Sequence, residues 1–406
     1  MTISKLLIIG NGFDLSCGLK SSYNDFFNWQ LETSTAFVAF YVAKTGLLPP
    51  STKTSGGTYI VPQMPAVKVP TEELTLWDMY FISLKRDDPS FTENWCDIEK
   101  AIQNSLLGQE HFWGKTYETI STAFNAYNNR QQPAIVAGEI EHYVWQYAFN
   151  KKAPYNDRYF GVYTEKIEFS RDEFYSLLLD QLELFENKFR KYISQQVDTG
   201  RGYSSDALTL TQKLLAFRNN ESATYNVVNF NFTNPFTLFD ENSGHKFISD
   251  NVHGSIASEY SIFGIDSEIR KQDGSLLKVN QSDPAYSFTK QRRRIVKMAE
   301  GKESPGVTNS QYKELIFYGH SLNEQDYSYF HTLFDLCDLY GSELRLLFYY
   351  KKYGKTAEDN KKIQDARITE MLALLGRYGE TLSNKSHGAN LIDKLYNERR
   401  LLIKAI

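Results

Sequence analysis

The chain has 406 residues, enough for two or three structural units at roughly 150 residues each, so it can bury at least one sizeable core. Its 45 Lys and Arg against 49 Asp and Glu leave a formal charge of −4, which supplies no bulk field to draw it onto nucleic acid or an anionic membrane. Three widely separated cysteines, Cys17, Cys96 and Cys337, fit neither a disulfide framework nor a cysteine zinc site and point to a reducing compartment.

The opening SKLLIIGNGFDLSCGL predicts a short strand ending at Gly10, a tight turn and a helix start, the entry to an α/β unit. No apolar run approaches the roughly 18 to 20 residues a bilayer needs, and KLLIIG runs into a glycine turn rather than a small-residue cleavage site. A soluble cytoplasmic protein with no membrane partner is expected. The stretch 45–70 holds five of the eleven prolines, at 49, 50, 62, 65 and 70, and reads as a surface loop. From 72 to about 217 apolar residues recur at three and four, through TEELTLWDMYFISLKR, NWCDIEKAIQNSLL and SRDEFYSLLLDQLELFENKFRKYISQQV, so this region reads as helical. The 27 Phe, 27 Tyr and 5 Trp supply large buried area for a globular fold.

Strand character returns at 224–233, 246–254, 259–266, 313–321 and 343–351. The last two flank a helix predicted at 325–338, a βαβ spacing that implies parallel strands and a right-handed crossover. The stretches 356–377 and 389–403 read as charged amphipathic helices over a sheet face, and QRRRIVK at 291–297 as a solvated helix face or a contact for a phosphate or acidic partner. The predicted organisation is an α/β, Rossmann-like parallel sheet formed by residues 1–30 and 216–406, with a large helical insertion at 31–215.

Four turns carry residues suited to chemistry. Gly10-Asn11-Gly12 with Phe13 and Asp14 follows the first strand, where glycines let a dinucleotide approach the backbone and a helix N-terminus offers amides to its phosphates. Leu15 stands where a third glycine would be, Asp14 is also suited to cap the helix, and a turn serving packing alone fits equally. In NFNFTN, Asn229, Asn231 and Thr233 alternate with Phe230 and Phe232, placing a polar set at the carboxyl end of a strand where open α/β sheets bind ligands; a turn-forming Asn cluster is the alternative. His253 follows the next strand and can accept a proton near pH 7, with Gly254 leaving room beside it. FYGHSLNEQD sets Gly319, His320, Ser321 and Asp326 between strand and helix. It reads either as a second phosphate- or ribose-contacting turn or as a nucleophile elbow in which His387 would complete a triad with Ser321. The elbow lacks its closing glycine, since Asn323 stands there. No metal is expected, because no H-E-x-x-H, calcium loop or Cys/His tetrad occurs.

Together IIGNGFDLSCGLKSSYNDF, NWCDIE at 94–99, VVNFNFTNPF at 227–236, NVHGS at 251–255, IFGID at 262–266 and FYGHSLNEQDYSYF at 317–330 resemble the bacterial AbiH family of abortive-infection phage-resistance proteins. Membership implies antiphage defence by arrest of the infected cell. A more distant similarity is to sirtuin-like NAD-consuming domains, whose four polar turns occur in the same order, although Asn11 and Thr233 depart from that pattern and its zinc-binding cysteines are missing. This resemblance implies NAD as substrate and N-glycosidic cleavage releasing nicotinamide, with Asn231 orienting water or the ribose hydroxyls and His253 as general base. The other turn residues would contact the nucleotide. The alternative is a nucleotide-binding sensor or interaction protein without turnover. A phage or host protein trigger and a homo-oligomer are compatible partners that no motif encodes. Within NWCDIE, Trp95 and Ile98 are expected to pack, and Asp97 and Glu99 to cap and solvate a helix rather than reach the cleft.

Overall fold

The computed structural model describes residues 4–48, 71–88, 91, 96–107, 111–152, 166–200, 202–217, 223–239, 245–258, 260–270, 275–302, 306 and 311–406. The expected loop at 45–70 lies outside them from residue 49 onward, as do Trp95 and the side chain of Asp97. Among the described residues the strands are β1 (Lys5–Ile9), β2 (Ala223–Asn229), β3 (His245–Asn251), β4 (Gly254–Ser255), β5 (Tyr260–Ser261), β6 (Glu268–Arg270), β7 (Leu276–Lys278), β8 (Glu314–Tyr318), β9 (Arg345–Tyr350) and β10 (Leu401–Ala405). Six of them form one wholly parallel sheet in the order β10-β9-β8-β1-β2-β3. The chain winds outward from β1 through β2 to β3, then returns to the other side of β1 for β8, β9 and β10. This reversal sits between β1 and β8, and open α/β sheets place ligands at the carboxyl ends of the strands near such a point.

Parallel strands with both faces covered read as unbroken apolar runs, which explains KLLII and ELIFY. Leu6 and Ile8 enter one core with Leu315, Phe317, Leu346 and Phe348. Leu7 and Ile9 enter the opposite core with Ile316, Tyr318 and Leu347. The sheet is thus a Rossmann-like α/β core, as expected.

The described chain between β1 and β2 is helical. Its helices start where a side chain can satisfy the first free amides: Ser22 with Asp25, Thr75 with Asp78 and Ser170 with Glu173 each form a capping box. The helix Arg171–Thr199 is the spine of this region. Trp77 Nε1 donates to Leu178 O at 2.9 Å, and Lys188 reaches Asp78 at 2.5 Å. The aromatic core includes Phe26, Trp77, Phe81, Trp113, Phe174 and Phe185, and also Phe232, Phe263, Ile265 and Phe288 from beyond β2. Arg293 joins the two parts: its guanidinium pairs with Glu186 and donates to Phe263 O at 2.9 Å, while Phe263 N donates to Glu186 at 2.7 Å.

Three local expectations change. The helix predicted at 389–403 is Lys385–Asn397 followed by β10. Arg399, at φ 56°, breaks the helix, and an edge strand with one exposed face has too short an apolar pattern to be told from an amphipathic helix. Among the described residues of 259–266 only Tyr260–Ser261 forms a strand, pairing antiparallel with β4 outside the main sheet. In the basic run on the helix Lys290–Ala299, Arg293 is buried, so this is not simply a solvated face.

One close approach positions the two turns at the reversal point. A Cβ on Gly10 would stand 2.7 Å from His320 Cα, and one on Gly12 would stand 2.7 Å from Gly319 Cα. Gly319 itself has φ +70°, and a Cβ there would lie 2.3 Å from Phe13 N. Gly319→Ala should therefore lose about 2–4 kcal/mol of unfolding free energy through strain and displaced backbone. Gly376→Ala, with open space around it in the helix Ala357–Thr381, should gain up to about 1 kcal/mol. Urea denaturation of both variants checks this; equal stabilities would show that the glycine contact is not tight.

Candidate functional site

The four expected turns meet at the carboxyl edge of the sheet. Gly10 N donates to Tyr318 O at 3.1 Å, Gly12 N to Gly319 O at 2.8 Å, Phe230 N to Ile9 O at 2.9 Å and Val252 N to Asn229 O at 2.9 Å. The Phe230 ring lies between the imidazoles of His253 and His320, with centroids 5.5 and 4.3 Å away.

Most of the candidate residues prove to build this rim. The Gly12 and Phe13 amides are engaged by Gly319 O and Gly10 O, so the first turn does not present them to a phosphate. The close approach of Gly10, Gly12 and Gly319 is backbone against backbone. Phe13 is fully buried in the sheet core. Asn11 accepts from Ser21 Oγ at 2.5 Å. Asp14 does not cap its helix; it is 1% exposed and accepts from Tyr203 Oη at 2.7 Å and Thr233 Oγ1 at 2.8 Å. Burial, only partly offset by those donors, raises its carboxyl to about 6. Asn229 donates to Thr233 O at 2.7 Å and accepts from Asn231 N at 2.9 Å, closing its own turn. Gly254 leaves no room beside His253, since a Cβ there would meet Tyr260 O at 2.4 Å.

Three candidates differ. Asn231 is 4% exposed, yet neither its Oδ1 nor its Nδ2 has a partner among the described residues. Asp326, also buried, holds His253 Nε2 on Oδ1 at 3.2 Å and His320 Nε2 on Oδ2 at 3.3 Å. Leu322 N donates to the other nitrogen of His320 at 2.9 Å, so both of its ring nitrogens are engaged. His253 keeps an unpartnered, buried Nδ1. Ser321 is half-buried in the same loop. His387 stacks on Tyr340 at 4.0 Å, and Tyr340 precedes β9 at the amino-terminal edge of the sheet. Ser321 follows the carboxyl end of β8, so the two cannot share a triad.

Two further residues are central to the site: Lys290, outside the motifs, and Glu99, which ends NWCDIE. Lys290 Nζ donates to Asp326 Oδ1 at 2.8 Å and to Glu99 Oε2 at 2.9 Å. Glu99 is therefore buried in an ion pair and does not solvate its helix, while Ile98 packs in the core as expected. Burial would raise the Asp326 carboxyl, but the Lys290 ammonium and the imidazoles outweigh it and hold it well below the usual range. Burial raises Glu99 to about 7 against the pull of Lys290. Burial, then the Lys290 charge, lowers His253 to about 4 despite Asp326. His253 is thus a neutral imidazole near pH 7. With Nε2–H on Asp326, its lone pair is on Nδ1. His253, Asp326 and Lys290 line a cleft of about 660 Å³ that also receives Asn251, Asp266, Arg294 and Tyr329. That volume suits a ligand of nucleotide size. Asn231 does not itself line the cleft but is tied to it through Asn251, whose Nδ2 donates to Asn231 O at 2.9 Å.

Two outcomes are expected. Lys290→Gln combined with Glu99→Gln removes the ammonium together with the Glu99 charge and leaves Asp326 held by its two imidazoles, so the His253 pKa should rise toward the ordinary value of about 6.5. An NMR titration of the imidazole reads this, and an unmoved value would mean that burial alone sets it. Asp14, raised in the fold, contributes stability that is present below its unfolded value and lost as pH rises through about 6. Asp14→Asn should therefore gain on the wild type by roughly 2–3 kcal/mol between pH 4 and pH 7. Parallel denaturation curves at both pH values would contradict this.

Among the described residues no helix is long and apolar enough to cross a membrane. No curated protein and no solved structure gives a significant match to the chain. The family model described as "Bacteriophage abortive infection AbiH" matches residues 6–350, a span that contains all four turns, Glu99 and Lys290. The chain belongs to the AbiH family of bacteriophage abortive-infection proteins.

Proposed function

We propose that this AbiH chain is an abortive-infection effector that hydrolyses the N-glycosidic bond of NAD at the rim formed by Asn231, His253 and Asp326. The observation that carries this reading is the Asn231 amide, buried with both polar atoms unpartnered. A buried unsatisfied donor or acceptor costs about 1–3 kcal/mol, so the amide calls for a partner. A ribose hydroxyl or an attacking water supplies the missing partner. The distant similarity of the four turns to sirtuin-like NAD-consuming domains names the substrate.

In the proposed step, water attacks C1′ of the nicotinamide ribose as the C1′–N bond breaks. Nicotinamide takes the bonding pair onto its cationic ring nitrogen and leaves neutral, so no acid is needed. The water proton passes to His253 Nδ1, and ADP-ribose is the other product. Asp326 fixes the tautomer and orientation of His253 and stabilises the imidazolium that forms. An oxocarbenium-like centre is a strong electrophile, so an imidazole titrating near 4 suffices as base. Its low basicity also favours a second reading, retention of a nucleotide without turnover.

Release of nicotinamide from NAD by the purified protein, activated with phage lysate, is the test. His253→Ala should slow it by about 10²- to 10⁴-fold, and Asn231→Ala should slow it with intact folding. Equal rates for wild type and His253→Ala would remove His253 from the mechanism. Unchanged NAD levels in infected cells carrying wild type would refute the enzyme reading, and tight NAD binding without product would establish the second one.

A further inference from the structure

The cleft beside His253 extends beyond the four turns, between the helices Lys290–Ala299 and Tyr327–Leu336. On its wall the Tyr329 hydroxyl is buried without a partner among the described residues, as is His253 Nδ1. Burial keeps this phenol above its ordinary range, so it remains a hydrogen-bond donor at neutral pH. Arg294 lies over the Tyr329 ring, 5.6 Å from its centroid, and makes no ion pair among the described residues. It differs in this from Lys290, Arg293 and Lys297 of the same helix, which all pair with carboxylates. Toward solvent the same cleft is bordered by Ile295, Met298 and Leu336, which are 49%, 51% and 40% exposed.

These groups are graded in chemistry from floor to mouth. Neutral His253 and the carboxylate of Asp266 provide acceptors at the buried end. The guanidinium and phenol follow, and an apolar rim comes last. Asp250 lines the same cleft but forms no ion pair with Arg294, and a guanidinium unpaired among the described residues, next to a donor hydroxyl, suits the oxygens of a phosphate. Exposed aliphatic side chains on two facing helices suit the faces of a flat heterocycle.

We infer that this outer cleft is the nucleotide-recognition half of the site, with Arg294 and Tyr329 gripping phosphate and Ile295, Met298 and Leu336 covering the base of a nucleoside phosphate whose ribose points to His253. The inference rests on the proposed nucleotide chemistry at the rim but assigns different residues, none of which contacts the bond to be broken. It also reassigns the phosphate contact from the glycine turn, whose Gly10, Gly12 and Phe13 amides are occupied, to the basic helix.

Calorimetric titration of the full chain with ADP-ribose and with adenosine tests it. The wild type should bind ADP-ribose at least tenfold more tightly than adenosine. Arg294→Gln should lose about tenfold for ADP-ribose and nothing for adenosine, Arg294→Lys should retain most of the affinity, and Tyr329→Phe should lose a few-fold. Arg294 is exposed on its helix, so its replacement leaves the fold intact. Equal binding of ADP-ribose by Arg294→Gln and wild type would overturn the inference, as would equal binding of the two ligands by wild type. Nicotinamide release from limiting NAD at the wild-type rate by Arg294→Gln would overturn it while leaving the hydrolysis reading standing. Arg294-dependent binding of ADP-ribose with no nicotinamide release would do the reverse.

Discussion

A carboxylate buried at the carboxyl edge of a parallel sheet must be neutralised by fixed partners, and Asp326 recruits them from three separate parts of the chain. His253 comes from the loop after β3, His320 from the turn after β8, and Lys290 from the start of the helix Lys290–Ala299. Removing one member of a buried ion pair costs about 3–5 kcal/mol, because the other charge is stranded. The network therefore fixes geometry even where its net stabilisation is small. The orientation of His253, the proton on its Nε2 and the shape of the cleft floor all follow from where Asp326 is held.

The same network joins the sheet to the helical region. Glu99, on the helix Cys96–Leu107, reaches Asp326 only through Lys290. A second link, Arg293 with Glu186 and Phe263, ties the spine helix to the same basic helix one turn further on. Two buried ion pairs thus fasten one face of the helix Lys290–Ala299 to the helical region, while Arg294 on another face remains available to the cleft.

The glycines contribute in a different way. Gly10, Gly12 and Gly319 are required because two backbones touch where the strand order reverses, and side chains there would push the turns apart. That contact holds the first turn against the last and keeps Phe230 between the two imidazoles. The motif that resembles a phosphate cradle serves here to bring distant loops together.

Much of this organisation was legible in the chain alone. Buried parallel strands need unbroken apolar runs, so KLLII, ELIFY and RLLFYY marked themselves, and the turns after them marked the functional edge. The helical region announced itself by its three- and four-residue period, and the six motifs by their resemblance to AbiH proteins. The terminal strand at Leu401–Ala405 escaped because an edge strand carries a weak pattern. Lys290 escaped, and the partners of Glu99, Arg294 and Tyr329 could not be read from the runs that contain them, because these roles depend on neighbours far away in sequence: Lys290 lies 191 residues from Glu99 and 36 from Asp326. Local periodicity and turn chemistry act over a few residues, and they determined the sheet, the helices and the candidate loops. Which buried charge finds which partner, and which polar group is left without one, depends on packing between remote segments, and only the tertiary structure decided it.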